Sequence, residues 1–322
     1  MPRRADREAT SSIGPLPAAL LRHFDEVPAD PSPTNLIHGT HYWIGNEQAA
    51  HLWYHAVQGR GGAFLGVGTD LNYTLAAWAR AELLVVIDFD QGVVDLHRAY
   101  MGVFESARTP DEFLAAWSVR ERGATTERLH RRWADNARQA GIVRAFRTAQ
   151  PMVTTRLETV RRRLREHALP SFVDDPIEYA HARALACDAR VVVVRGDYDG
   201  ERTLLAIAAA LRAAALQLGV VYLSNVEQYL DYTANFRRNF LALDCDPGCV
   251  VLRTHARSTL GLVPGELYHY NIQSADGFAG WLRHSDVRRL TELLRHRTGT
   301  LECGLSLLER TAPGDDVARA HG

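Results

Sequence analysis

The sequence predicts an α/β fold: a doubly wound, mostly parallel sheet interrupted by a large helical insertion after its second strand. Three observations carry that reading. A strand, glycine turn, helix and second strand follow one another between Ala63 and Asp90. Leu83 to Ile87 is a continuous apolar run of the kind buried on both faces, and Arg190 to Val194 reads as another buried strand. Strand and helix alternation resumes after residue 188, once a long helical stretch has ended.

Length and composition set the frame. The chain has 322 residues, 46% of them hydrophobic and 23% charged, enough for one large globular domain or two ordinary ones. All 37 basic residues are arginine, so chemistry that needs an ε-amino group is excluded, including the phosphate-binding lysine of a P-loop, a Schiff base and a kinase ATP site. A formal net charge of -1 gives no steering toward polyanions or anionic membranes. The opening residues MPRRADREATSS are not followed by the apolar core of a signal peptide. The longest apolar run, Leu204 to Leu223, is broken by Arg212, Gln217 and Gly219, and reads as helix then strand, not as a membrane span. Cys187, Cys245, Cys249 and Cys303 form no paired framework, which predicts a reduced, cytoplasmic protein.

In chain order, residues 1–34 read as a polar, proline-punctuated leader without chemistry. Residues 35–60 form an N-terminal cap with a helix from Asn46 to about Gly59, stopped by Gly59, Gly61 and Gly62. Ala63 to Val67 is the first strand, Gly66 and Gly68 its turn, Leu71 to Ala79 a helix, and Leu83 to Ile87 a strand ending in Asp88 and Asp90. Residues 92–187 are helical throughout, with candidate helices over 92–106, 110–121, 124–139, 141–148, 152–167 and 176–186. Beyond them come a strand to Val194, the turn Gly196-Asp197-Tyr198, an alanine-rich helix over 201–217 and a strand from Gly219 to Leu223 with Ser224 and Asn225 at its tip. A helix from Glu227 to Phe240, a strand at Val250 to Thr254, an edge strand from Glu266 to Gln273 and an amphipathic segment from Ser285 to His296 complete the core, which spans 61–91 and 188–310; 311–322 is a polar tail.

This order of elements and motifs resembles the class I S-adenosylmethionine-dependent methyltransferase fold, a Rossmann-like sheet, over residues 63–90 and 188–273. The chain is also similar to an uncharacterised Leptospira-type methyltransferase-like family. The resemblance implies S-adenosylmethionine as cofactor. It assigns Gly66 and Gly68 to the glycine motif, Asp88 to the ribose hydroxyls, Asp197 and Tyr198 to the adenine side, and Ser224 and Asn225 to the methionine moiety, with Asn225 and Tyr229 facing the reacting carbon. Two features depart from that pattern: Leu65 stands where an acid ends the first strand, and the insertion is long. A nicotinamide-binding fold shares the strand, glycine turn and ribose acid, but its third glycine is Leu71 here.

The implied function is an enzyme acting on a small molecule in a pocket covered by the N-terminal segment and the insertion, with methyl transfer as the commonest reaction of the fold. Two alternatives stand beside it. One is cleavage of S-adenosylmethionine by its own amino group or α-carbon, as in azetidine-2-carboxylate synthases, with release of methylthioadenosine; the other is a non-catalytic nucleotide-binding or NAD-dependent protein. Other clusters read as structural. Glu47, His51 and His55 share a helical face near His38 and His41, but their span of about 12 Å is too long for one ion. Cys245 and Cys249 lack a second pair, so no metal is assigned. Tyr42, Trp43, Trp53 and Tyr54 are core aromatics or π faces for a cation. Thirteen arginines against five acids from Arg120 to Glu166 give +8, read as a solvated helical face and not as a nucleic-acid surface. Neither membrane nor nucleic-acid partners are expected, and a homo-oligomer is compatible with the sequence.

Overall fold

A computed structural model describes residues 14–309 apart from 257, 299 and 303, so Cys303, the first part of the leader and the polar tail lie outside the described residues. The strands are β1 Ala63–Gly66, β2 Leu83–Asp88, β3 Val191–Arg195, β4 Leu218–Tyr222, β5 Cys245–His255, β6 His269–Ser274, β7 Thr300–Glu302 and β8 Leu305–Leu308. They form one eight-stranded sheet in the order β3-β2-β1-β4-β5-β6-β8-β7. The first five are parallel, β6 runs antiparallel to β5, and β8 is parallel to β6 and antiparallel to β7. The order reverses between β1 and β4, which is the point where an open sheet of this kind leaves a crevice at its carboxyl edge.

Two apolar layers cover the sheet. On one face, α2 Tyr54–Val57, α3 Leu71–Ala79, α4 Gln91–Ser106, α5 Pro110–Ala116, α6 Arg122–Arg132, α7 Gln139–Glu166 and α8 Pro176–Cys187 bury Trp53, Tyr73, Tyr100 and Trp117. On the other, α1 Ala18–Asp25, α9 Thr203–Ala213, α10 Ala234–Leu241, α11 Ala275–Leu282 and α12 Leu290–Leu293 bury Ile207, Leu211, Phe236 and Trp281. α4 packs directly on β2 and β3, so the β2 to β3 crossover is the helical insertion itself, with α5 to α7 stacked outside α4.

Several boundaries differ from the sequence reading, each for a tertiary reason. The two helices expected over 141–148 and 152–167 are one, α7, of 28 residues and about 42 Å, running through Pro151. Pro151 is exposed, while the stripe Ile142, Phe146, Ala149, Val153, Leu157, Val160 and Leu164 is buried, and this packing outweighs the lost backbone hydrogen bond. The expected helix from Asn46 shrinks to a 3-10 turn, Ala50–Trp53, followed by α2. The amides of Gln48 and Ala49 donate instead to the buried Glu266 carboxylate, at 2.7 and 3.0 Å, which diverts the backbone. The helix expected from Glu227 starts only at Ala234, capped by Thr233, because Glu227 turns inward to a buried ion pair with Arg253 at 2.7 Å. The segment read as an edge strand, β6, lies inside the sheet because β8 and β7 extend beyond it.

The described part of the leader, from Gly14, packs against the sheet layer. Leu16 and Phe24 are buried in the second apolar layer. The Asp30 carboxylate, also buried, accepts from the amides of Asp197 at 3.1 Å and Arg202 at 3.2 Å, so a distant residue caps the start of α9. Asp30→Ala strips that acceptor from buried amides and is expected to lower stability by about 1–3 kcal/mol. A shift of the urea midpoint at unchanged slope checks it, and an unchanged midpoint contradicts the capping role.

Candidate functional site

A cavity of about 890 Å³, part of it open to solvent, sits at the carboxyl edge where the strand order reverses. The turn after β1 forms its floor. Gly68 has φ +75°, a left-handed conformation that glycine adopts without strain, and no atom lies within 4 Å of where its Cβ would be. Gly66 serves packing: a Cβ there would meet Asn72 Oδ1 at 1.9 Å, and Asn72 donates to the carbonyls of Val67 and Thr69 at 2.9 and 3.0 Å. His97, from α4, donates through Nε2 to the Gly68 carbonyl at 2.7 Å, and its Nδ1 accepts from the Tyr73 hydroxyl at 3.0 Å. Burial pulls the His97 pKa down to about 4, so the imidazole is neutral and this tautomer is fixed across the working range.

The end of β2 supplies the next wall. Asp88 Oδ2 accepts from the Gly68 amide at 3.2 Å and Oδ1 from the Asp90 amide at 2.9 Å, which leaves one lone pair on each oxygen for a ligand. Burial raises the Asp88 pKa to about 7, partly opposed by the Asp90 amide and reinforced by the Asp90 charge. Asp90 is committed elsewhere. It caps α4 through the Gly92 amide at 2.7 Å and pairs with His41 Nδ1 at 2.7 Å.

The cap segment and the end of β4 close the other side. Ile37, Thr40, Tyr42 and Ile44 to Glu47 line the cavity opposite Tyr222, Ser224, Asn225, Val226, Tyr229 and Tyr268. Ser224 is held at φ +48°, a conformation costly for a non-glycine residue. Its hydroxyl and that of Tyr222 both donate to Glu47 Oε1, the latter at 2.9 Å. Asn46 and Asn225 donate to the Tyr268 hydroxyl at 2.7 and 3.3 Å, and burial beside Glu47 pushes the Tyr268 pKa up to about 12.

One carboxylate ties these walls together. Asp70, 1% exposed at the start of α3, accepts from the Gly45 amide at 2.8 Å, from Thr69 Oγ1 at 3.2 Å and from Arg156 Nε at 2.9 Å. The cap, the glycine turn and the insertion helix α7 therefore meet on a single group.

Among the residues expected to form the site, Gly68, Asp88, Ser224, Asn225 and Tyr229 line one cavity. Gly66, Asp197 and Tyr198 do not. Tyr198 is buried in the second apolar layer, stacked on Phe240, and Asp197 forms a turn by accepting from the Asp199 amide at 2.9 Å. Tyr229 ends a 3-10 turn and is 45% exposed at the cavity mouth, not one turn into a helix. Of residues 92–187 only Val93 is among the cavity's lining residues. Glu47 and His51 part company, Glu47 turning into the cavity while His51 stacks on His167 at 3.5 Å. Among the described residues no three His, Cys, Asp or Glu side chains converge as a metal site. Sequence reasoning passed over Asn72, His97, Arg156 and Tyr268. Asn72 alone carried a signal, as a polar residue just inside an otherwise apolar helix.

Fold and cavity define an α/β protein with a crevice at the topological switch point of its sheet. The chain belongs to the family described as domain of unknown function (DUF7790), whose profile matches residues 42–309. That span takes in the cap from Tyr42, the insertion and the sheet through β8. A search of curated proteins finds no match.

Arg156→Met leaves the buried Asp70 charge without its partner and is expected to cost about 3–5 kcal/mol. Combining it with Asp70→Asn should return part of that loss. Chemical denaturation of the three variants checks the coupling, and strictly additive losses contradict it.

Proposed function

We propose that the protein is an S-adenosylmethionine-dependent enzyme acting on a small molecule, with methyl transfer as its reaction. The observation that carries this reading is the charge of the cavity lining. Glu47 and Asp88 contribute carboxylates, Asp90 adds one that is already paired with His41, and no arginine, lysine or histidine is among the lining residues described. A pyrophosphate there would be repelled by about 4 kcal/mol per charge pair at 4 Å and an effective dielectric of 20. A ligand with a sulfonium and an ammonium is attracted instead. The buried Leu71, standing where a dinucleotide motif has its third glycine, supports the same choice.

The residues fit such a ligand. Gly68 lets the backbone come close, and the two remaining lone pairs of Asp88 suit the paired hydroxyls of a ribose. Ser224 and Asn225 lie across β1 from Asp88, about 10 Å away at ordinary strand spacing, where the amino-acid end and the acceptor belong. Tyr42 and Tyr229, both partly exposed at the mouth, offer ring faces to a cation and restrict water. When bound, S-adenosylmethionine supplies an already activated electrophilic carbon, so the protein's share is binding, alignment and water exclusion.

Incubation with S-adenosylmethionine and candidate acceptors, followed by mass spectrometry of the thioether product, tests the reaction. S-adenosylhomocysteine supports methyl transfer. Methylthioadenosine released without acceptor, above the spontaneous rate, replaces that assignment with intramolecular cleavage.

A second expectation follows from Asp88. Its raised pKa favours the ligand-free fold below about pH 4, a contribution lost as pH rises through about 7, whereas ribose hydroxyls donate best to the ionised form. Affinity for S-adenosylhomocysteine should therefore fall about tenfold per unit as pH drops below 7. Asp88→Asn should bind about tenfold to a hundredfold more weakly at pH 8 and lose this pH dependence. Calorimetric titration between pH 5.5 and 8.5 decides it, and a flat wild-type profile contradicts the role of Asp88.

A further inference from the structure

We infer that Glu47 is the seat of a primary ammonium group of the ligand. Glu47 is 1% exposed and lines the cavity. Its Oε1 is taken by the hydroxyls of Tyr222 and Ser224, while its Oε2, with no solvent contact, has no hydrogen-bond partner among the described residues. A carboxylate oxygen buried in this way is costly unless a donor meets it, and a cationic donor offsets the cost best.

The surroundings select the donor's charge. Arg156, whose Nη2 shares the space around Gly45 with Glu47 Oε2, does not line the cavity; it pairs with Asp70 at 2.9 Å and acts on Glu47 at longer range. One guanidinium therefore serves two carboxylates, which leaves the pair Asp70 and Glu47 short of one positive charge beside the cavity lining. Around it stand Ser224, Asn225, Asn46 and Tyr268, neutral groups that can accept from or orient an ammonium. The Asn46 and Asn225 side-chain amides donate their N–H groups to the Tyr268 hydroxyl, which leaves their Oδ1 atoms as the acceptors for an ammonium. The seat lies at the β4 end of the cavity, across from the proposed ribose position at Asp88.

The inference rests on the S-adenosyl reading of the same cavity, and two sources share its chemistry: the cofactor's own α-amino group and an amine acceptor. Calorimetric titration of the full chain separates them. The probes are S-adenosylhomocysteine, its desamino analogue, and n-butylamine with and without saturating S-adenosylhomocysteine, each against wild type and Glu47→Gln. Glutamine keeps the contacts to Tyr222 and Ser224 while removing the charge. The expected result is a preference of about thirtyfold or more for S-adenosylhomocysteine over the desamino analogue in wild type, shrinking below about threefold in Glu47→Gln. Equal affinity for those two, with butylamine binding that Glu47→Gln abolishes, assigns the same seat to an acceptor amine. Unchanged preference and unchanged butylamine affinity in Glu47→Gln overturn the inference. Wild type that binds butylamine through Glu47 but neither adenosyl compound overturns the S-adenosyl reading and keeps the seat; wild type that binds none of the probes overturns both. If Glu47→Gln does not fold, Glu47→Asp, which withdraws the charge by one methylene, gives the same comparison.

Discussion

The buried ion pair between Asp70 and Arg156 is the constraint on which the site depends. Both groups are almost fully removed from water, and the pair is worth little as a bare Coulomb attraction against its desolvation. What it supplies is position. Asp70 begins the helix that follows the glycine turn and also receives the Gly45 amide, so the cap cannot move relative to the turn without stranding a buried charge. The insertion, which contributes Val93 to the cavity wall, acts as a buttress through this guanidinium and through His97 on the Gly68 carbonyl.

From that anchor the polarity of the cavity follows. The sheet order brings the ends of β2, β1 and β4 side by side, with Asp88, the open backbone of Gly68, and Ser224 with Asn225 at those ends. The cap adds Glu47. Because the arginines stay outside the lining, these carboxylates are not neutralised within it, and burial makes Asp88 reluctant to ionise without a donor.

Much of the fold was legible in local pattern. The unit from Ala63 to Asp90 could be read because apolar runs, glycines and strand-end acids obey short-range rules; it gives two strand ends of the site, and the apolar run before Ser224 and Asn225 gives the third. The features that escaped are those decided by distant partners. Glu266 draws the amides of Gln48 and Ala49 out of a helix, Arg253 draws Glu227 inward, and Asp30 occupies the turn where Asp197 and Tyr198 were expected to meet a ligand. Arg156 could not be singled out among thirteen arginines of one charged stretch, since nothing in its neighbours marks the one that points inward. Glu47 looked like one member of a polar helical face; only the loop conformation turns it into the cavity.

A crystal structure of the full chain with S-adenosylhomocysteine tests the central claim most directly. The account predicts the ribose on Asp88 beside Gly68 and the amino-acid end toward Ser224 and Asn225. A ligand bound away from this cavity, or the same cavity taking NAD with its pyrophosphate on the Gly68 turn, would contradict it.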